Sequence, residues 1–310
     1  MTIRLGLGLP QTKQYDLARD PARVARAAEQ IGYESLWVFE RLLVPEHPRQ
    51  GLYGIPGRAW PDAYRSVAHP LVVLSLAAAA TERARLGSSV LIAPLHVPLQ
   101  LARALATLDA ASGGRVVAGF GTGWSLDEYA AASIAPFEER GTVLDELLDV
   151  CAAVWGPDPV SYHGAHTVID EAEVGPKPAR PIPVYLAASS RKALDRLARR
   201  ADGWMPAGVP PADLAPQLRR LKELAASHGR DSDALTMCVR ANTHLTDTPV
   251  GDAERQPFTG TIEQIVADVA AHAAVGAEEV LLDLQWNVGG ADELIDLADR
   301  IHAAVRDANL

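Results

Sequence analysis

The sequence predicts a single (β/α)8 TIM barrel over residues 1–310, with an insertion before the fifth strand. Apolar runs rich in Val, Leu and Ile alternate with amphipathic stretches along the whole chain. The apolar runs are continuous, which indicates parallel strands that helices cover on the outside. Eight such units occur without a linker that would mark a domain boundary, and eight repeats close into a barrel. An open doubly wound sheet is the alternative.

The elements follow one another in a regular order. Strands are predicted at residues 3–9, 35–40, 84–93, 115–120, 183–188, 203–206, 234–243 and 280–284. Proline marks the start of the helices at 70–80 and 98–112, because its missing N–H is tolerated in the first turn. Thr261 and Gln264 form a capping-box pattern that opens a later helix.

Composition excludes several classes of protein. The chain has 310 residues, of which 48% are hydrophobic and 22% charged, as in a globular protein. A formal net charge of −10 disfavours nucleic acid and anionic membranes as partners. The sequence shows no stretch of apolar residues long enough for a membrane span and no signal-peptide pattern. Cys151 and Cys238 are interpreted as buried thiols of a cytoplasmic protein.

Two long interruptions, at residues 41–66 and 156–181, break the alternation. Loops that follow barrel strands lie at the catalytic face, and long loops are often functional. The first interruption is therefore a candidate substrate pocket, with Tyr53, Trp60 and Tyr64 as its walls. The alternative is a loop that only covers the surface.

Glu40 and Arg41 follow the second predicted strand. A carboxylate among apolar neighbours can have a raised pKa and transfer a proton. The alternative is that Glu40 forms an ion pair with Arg41 or another cation at the rim. Arg41 is a candidate for stabilising a developing oxyanion.

A glycine-rich segment, 119–124, follows the fourth strand and resembles the start of a dinucleotide-binding loop. Trp124 stands where the third glycine belongs, and no helix is predicted directly after it, so a Rossmann site is disfavoured. The glycines would still let the backbone approach a flat ring or a phosphate. Asp127 and Glu128 follow as polar candidates.

Small residues at 187–190 lie where a strand gives way to a helix, which favours an anion site. The alternative is an ordinary cap by Ser189 or Ser190. His163 and His166 have a spacing that metal ligands also show, but Gly164 favours a hairpin, and no metal is expected. His96 and His244 lie near the ends of the third and seventh strands, where either a functional or a structural role is open.

Several segments together resemble the luciferase-like monooxygenase superfamily, and its F420-dependent (deazaflavin) oxidoreductase branch in particular. These segments are 32–38, 86–91, 98–109, 112–115, 119–124, 181–187 and 260–264. Each is weak alone, but their order and spacing cover nearly the whole chain. The resemblance implies a (β/α)8 barrel that binds its cofactor at the carboxyl ends of the strands.

The resemblance also implies binding residues. Those expected beside the cofactor ring are Gly8, Glu40, Ser89, Val90, Gly121 and Gly123, with His96 at its border. Those expected beside the phosphate tail are Asp127, Ala187, Ala188, Ser189 and Ser190. A bulge with a non-proline cis peptide bond is implied between Ser89 and Val90. The substrate pocket is expected to include His244 together with the aromatic residues of the first interruption.

One departure from the family pattern concerns the proton carrier. The branch often has Asp-His where this chain has Glu40-Arg41.

The expected function is hydride transfer between coenzyme F420 and a small organic substrate. An FMN-dependent monooxygenase with a reductase partner and a non-catalytic flavin-binding barrel are the alternatives. The resemblance further implies a homodimer through the helices at 70–80 and 99–111.

Overall fold

The computed structural model describes residues 2–251 and 255–310 of the chain. Its strands form one closed barrel in which every neighbouring pair is parallel. The strands are Arg4–Gly8, Ser35–Val38, Arg85–Ser88 continued by Leu91–Ile92, Val116–Gly121, Val184–Leu186, Gly203–Trp204, Thr236–Asn242 and Glu279–Asp283. Because the first strand pairs with both the second and the last, the barrel closes in chain order. The predicted TIM barrel is confirmed, and the open sheet is excluded.

Helices surround this barrel. They are Asp20–Ile31, Pro70–Ala80, Pro98–Ser112, Leu126–Ala132, Arg140–Trp155, Arg191–Arg200, Pro211–Ser227, Ile262–Ala274 and Ala291–Asp307. The capping box at Thr261 and Gln264 is confirmed.

The helix Leu126–Ala132 corrects the expectation that no helix follows Trp124 directly. Its N-cap is Ser125, whose hydroxyl accepts a hydrogen bond from the backbone N–H of Glu128 at 3.2 Å. Acidic residues in its first turn interact favourably with the positive end of the helix dipole. The cap and these charges start the helix although it is too short to show a clear apolar period.

The barrel interior is filled beneath the carboxyl ends of the strands. The buried side chains of this layer are Trp37, Val117, Tyr185, Met205, Cys238 and Leu281. Glycine makes room for the large rings: a Cβ on Gly6 would lie 2.6 Å from the indole nitrogen of Trp37, and one on Gly203 would lie 2.5 Å from Tyr185. These side chains form one buried cluster inside the barrel.

The two interruptions differ in structure. Residues 156–181 contain the antiparallel hairpin Val160–His163 and Val168–Ala172, as the Gly164 turn predicted. His163 pairs there with Asp170 at 2.8 Å. Residues 41–66 contain only the short turns Leu52–Gly54 and Asp62–Arg65.

Three further findings concern chemistry that the sequence raised. Cys151 and Cys238 are buried free thiols, as predicted. Across residues 2–251 and 255–310, no cluster of three or more His, Cys, Asp and Glu side chains is suited to a metal ion. Within the same residues, no helix has the length and apolar character that crossing a membrane would need.

Candidate active site

Glu40 lies buried at the mouth of the barrel, just past the second strand. Its Oε2 accepts a hydrogen bond from the backbone N–H of Ile92 at 2.6 Å. His96 Nε2 lies 2.9 Å from Oε1 and 3.0 Å from Oε2. The carboxylate is fully enclosed, whereas the imidazole keeps 17% of its surface exposed. The site therefore contains a buried carboxylate whose imidazole partner reaches the solvent side.

Arg41 does not pair with the Glu40 carboxylate, so that form of the ion-pair alternative is wrong. Arg41 Nη1 lies 3.0 Å from Glu128 Oε2, and both side chains are nearly fully buried. The contact is ionic without hydrogen-bond geometry. Arg41 Nε donates to the backbone carbonyl of Glu40 at 2.8 Å. Burial raises the pKa of Glu128, although Arg41 and the N–H of Leu42 oppose the shift.

A second charged group, Arg240 with Asp283, was missed by the sequence analysis. Arg240 projects from the seventh strand and donates to the backbone carbonyl of Ser89 and to Asp283. Its Nε also donates to Asn242 Oδ1 at 2.9 Å. The sequence did contain a signal for this group, because Arg240 lies inside an otherwise largely apolar strand. A buried charge of this kind requires partners. This guanidinium links the seventh and eighth strands to the third strand, which is adjacent to neither of them in the sheet.

The bulge implied by the family resemblance is present. The third strand is interrupted at Ser89 and Val90, and the peptide bond between them is cis. A Cβ on Gly121 would lie 2.7 Å from Val90 Cγ2. Gly123 has a φ of +67°, and a Cβ there would lie 2.5 Å from Ile92 Cγ2. Glycine is therefore required where the fourth strand passes the bulge.

Gly8, at the end of the first strand, lies against Asp283. A Cβ at this position would lie 2.8 Å from Asp283 Oδ1. Since Asp283 also receives hydrogen bonds from Arg240 and Gln285, any side chain here would displace a connected group. The predicted ring-side residues Gly8, Glu40, Ser89, Val90, Gly121 and Gly123 thus all lie at the barrel mouth.

The predicted tail residues lie at the start of the helix Arg191–Arg200. Ala187, Ser189 and Ser190 are exposed there, and Ala188 is half-buried. Ser190 Oγ accepts from the N–H of Ala193 at 3.3 Å, which confirms the cap interpretation. The anion site stays a prediction, and it is compatible with this cap.

Asp127 is engaged with the interruption at 41–66. It accepts a hydrogen bond from the backbone N–H of Arg49 at 3.1 Å and pairs with the Arg49 guanidinium at 3.3 Å. Gln50 also donates to the carbonyl of Trp124. These contacts, together with the Arg41–Glu128 pair, fix the interruption to the helix Leu126–Ala132 and its approach.

Aromatic side chains gather at the mouth. They are Phe39, Tyr53, Trp60, Tyr64, Trp124 and Trp286. The ring centroids of Trp60 and Trp124 are 4.6 Å apart, and the Arg41 guanidinium lies 5.0 Å from the Trp124 ring. All three aromatic residues predicted for the pocket belong to this group.

His244 lies apart from the aromatic group. It is exposed, and its strand pairs with Thr259. Its backbone N–H donates to Phe258 at 2.9 Å. Within the described residues, no hydrogen bond joins its side chain to the mouth, and its pocket role stays a prediction.

Sequence comparison identifies the class of protein and then the family. The class is an oxidoreductase, because the family model described as luciferase-like monooxygenase matches residues 4–301. The chain belongs to this family. An uncharacterised protein of Mycobacterium tuberculosis is 36% identical over 220 residues, covering 68% of this chain and 75% of the relative. An F420-dependent glucose-6-phosphate dehydrogenase of Kineococcus radiotolerans is 29% identical over 241 residues, covering 76% and 67%.

Solved structures share the fold over nearly the whole chain. An F420-dependent secondary alcohol dehydrogenase in complex with an F420-acetone adduct has a TM-score of 0.78 at 17% identity, covering 98% of this chain and 99% of its own. Long-chain alkane monooxygenase has a TM-score of 0.73 at 15% identity, covering 100% and 92%. At these identities the likeness concerns the fold.

Proposed function

We propose that this enzyme transfers a hydride between coenzyme F420 and a small organic substrate at the barrel mouth. The observation that carries the proposal is the buried Glu40–His96 pair close to the Ser89–Val90 bulge. A relative at 29% identity that is named an F420-dependent dehydrogenase supports the choice of cofactor. The pair gives the site a proton carrier, which hydride transfer to or from an alcohol, carbonyl or alkene requires.

The residues at the mouth fit a deazaflavin. Gly121 and Gly123 let the fourth strand pass close to the side chains of Val90 and Ile92, beside which we place the cofactor ring. The helix behind Ser190 begins with free N–H groups, and helix N-termini favour phosphate. When bound, the deazaflavin supplies the carbon that gives or takes hydride, and the protein supplies orientation.

Proton transfer is assigned to His96 acting with Glu40. Glu40 holds the Nε2 side of the imidazole, so Nδ1 is the ring nitrogen left for a substrate. The N–H of Ile92 fixes the carboxylate in place. When protonated, this imidazole can give a proton to a developing alkoxide or carbanion. The imidazole that is missing at position 41 is thus supplied by the segment after the third strand.

Arg41 is proposed to position the cover of the site. Its guanidinium is buried against Glu128 and near the rings of Tyr64 and Trp124. A guanidinium with these buried contacts stabilises residues 41–66 in the position that they have in the structure. The adjacent rings of Tyr53, Trp60 and Tyr64 are proposed to contact an apolar part of the substrate.

We also propose a cytoplasmic homodimer formed through the helices Pro70–Ala80 and Pro98–Ser112. The first of these is apolar on nearly every side, and it leaves Val72 58% and Leu76 36% exposed. Burying such a face in a partner is favourable. We expect Val72→Asp to give monomers in sedimentation, whereas Glu82→Gln, just beyond the same helix, should leave dimers. A monomeric wild-type protein at micromolar concentration would refute the dimer.

Anaerobic turnover tests the proposed function. Reduced F420 is mixed with the protein and a panel of small alkenes, carbonyls and imines, and oxidised cofactor is followed by absorbance. We expect oxidation that depends on both substrate and protein and needs no oxygen. Turnover only with reduced FMN, oxygen and a reductase would instead establish the monooxygenase alternative. Binding without turnover on a broad panel would favour the non-catalytic alternative.

A further inference from the structure

A groove of about 890 Å³ runs between the helices Arg191–Arg200 and Pro211–Ser227 on the outer wall of the barrel. Its cationic lining residues are Arg191, Lys192, Arg196, Arg199 and Arg220. Asp145 and Asp195 are its acidic lining residues. Five cations against two carboxylates leave a formal surplus of three positive charges. This surplus contrasts with the chain's net charge of −10.

The cations of the groove fall into two sets. Arg196 forms hydrogen bonds to Asp145 at 2.7 and 2.9 Å, and Arg199 pairs with Asp195 at 3.0 Å. The remaining three are exposed, and no acidic side chain of residues 2–251 or 255–310 pairs with them. These three are Arg191, Lys192 and Arg220. The surplus charge of the groove is therefore available to an anion.

The groove begins beside the proposed phosphate site. Ser190 caps the helix whose next residues, Arg191 and Lys192, line the groove. Both flanking helices follow barrel strands and so begin at the mouth end. A ligand whose phosphate sits at Ser190 can therefore continue outward between the helices.

We propose that this groove binds the anionic oligoglutamate tail of coenzyme F420. The inference rests on the proposed function, since only the deazaflavin coenzyme carries such a tail beyond its phosphate, whereas FMN ends at that phosphate. Successive carboxylates of the tail pair with Arg191, Lys192 and Arg220. The guanidinium groups can each take a carboxylate through two N–H donors. The groove then favours F420 over FMN without touching the ring.

Equilibrium titration with two forms of the coenzyme tests this inference. One form carries several glutamates and the other carries none, and binding is followed by cofactor fluorescence. We expect the form with several glutamates to bind about tenfold tighter at low salt, because several exposed ion pairs act together. The advantage should shrink towards onefold at about 1 M salt, where the Debye length is only about 3 Å.

Two single charge reversals provide a matched pair. Arg220→Glu lies in the groove, whereas Arg219→Glu reverses the charge of the adjacent exposed residue outside the lining. We expect Arg220→Glu to remove at least half of the tail advantage and to leave the affinity for the tail-less form within about twofold. Arg219→Glu should retain the advantage.

The outcomes separate the two proposals. Equal affinity for both forms, or equal loss from both charge reversals, would overturn the groove assignment and leave hydride transfer intact. Failure of both forms to bind the wild-type protein would overturn the proposed function, and the groove assignment with it.

Discussion

Two buried glutamates mark the opposite ends of the barrel. Glu279 begins the eighth strand and is 1% exposed, and Glu40 follows the second strand and is 3% exposed. The ends of a TIM barrel divide their roles, because the loops at the carboxyl ends of the strands carry the chemistry. Burial alone therefore does not distinguish the two glutamates, and their partners do.

The partners of Glu279 are side chains of the barrel strands. Its carboxylate accepts hydrogen bonds from Ser35 and from the indole of Trp37, the latter at 3.2 Å, and pairs with Arg85. Ser35 and Trp37 belong to the second strand, and Arg85 belongs to the third. Arg4 Nε of the first strand lies 3.7 Å from the same carboxylate. These contacts link the strands at the end opposite the mouth.

Glu40 is also fully enclosed, but its partners lie at the mouth. It binds the N–H of Ile92 and the imidazole of His96, and the imidazole reaches the mouth. A titratable group between a buried charge and an open space can exchange protons with a ligand. The difference between the two ends is therefore that the partner of Glu40 is an imidazole at the mouth, which can exchange a proton, whereas the charged partners of Glu279 are guanidinium groups at the opposite end.

Replacement of the lower glutamate should have the largest effect. We expect Glu279→Gln to lower the free energy of unfolding by about 3 kcal/mol, because it leaves the partly buried Arg85 without its counter-charge. Urea denaturation measures the change. The control is Glu278→Gln, where the side chain is 43% exposed and pairs with Arg4 at the surface. Equal stability of the two variants would remove the proposed role of Glu279.

Replacement of the upper glutamate should affect the reaction instead. We expect Glu40→Gln to slow turnover by about 100-fold or more, and to keep F420 affinity within about tenfold, because a proton carrier has lost its charged partner. His96→Gln should give a similar loss, and the double variant no more than either single one, because the pair acts as a unit. Additive losses, or an unchanged rate, would contradict the pairing.

Arg240 offers a smaller effect at the mouth. We expect Arg240→Lys to weaken F420 binding by about tenfold, since an ammonium cannot hold Ser89, Asp283 and Asn242 together in the fork that a guanidinium provides. Cofactor titration measures it. Arg103→Lys, an exposed position outside the mouth, serves as the control. Affinities that match in the two variants would show that Arg240 does not hold the bulge for the cofactor.

The smallest effect concerns pH. Burial raises the pKa of Glu128 above its ordinary value of 4.5, so the folded protein holds this proton more tightly than the unfolded chain. Its contribution to stability is therefore present below about pH 4.5 and is lost as pH rises through the folded-state pKa.

Glu128→Gln tests this pH dependence. We expect the variant to lack this loss of stability at rising pH. Its stability relative to wild type should therefore increase with pH above about 4.5. Denaturant melts at a series of pH values give the comparison. A constant difference between the two proteins would contradict the direction of the shift.

The sequence predicted the elements with strong local signals. The helix Pro70–Ala80 has the predicted bounds, since proline starts it and an apolar run continues it. The third strand was predicted as one segment, 84–93, but it is divided at the bulge. The helix Leu126–Ala132 was missed because seven residues hardly show a period.

The site was predictable where family motifs mark it and not where distant strands meet. Glu40 and His96 were each candidates, but they are 56 positions apart and nothing local shows that they touch. The contact of Arg240 with Ser89 spans 151 positions and exists because the barrel closes. Such partners follow from the closure of the sheet, which no short pattern encodes.

The most direct test of the account is a parallel equilibrium titration of the purified protein with coenzyme F420 and with FMN. We expect F420 to bind at least tenfold more tightly, since the basic groove that we propose for its tail has no partner group in FMN. Tighter binding of FMN would contradict the account and would make the protein a candidate for oxygen-dependent chemistry with a reductase partner.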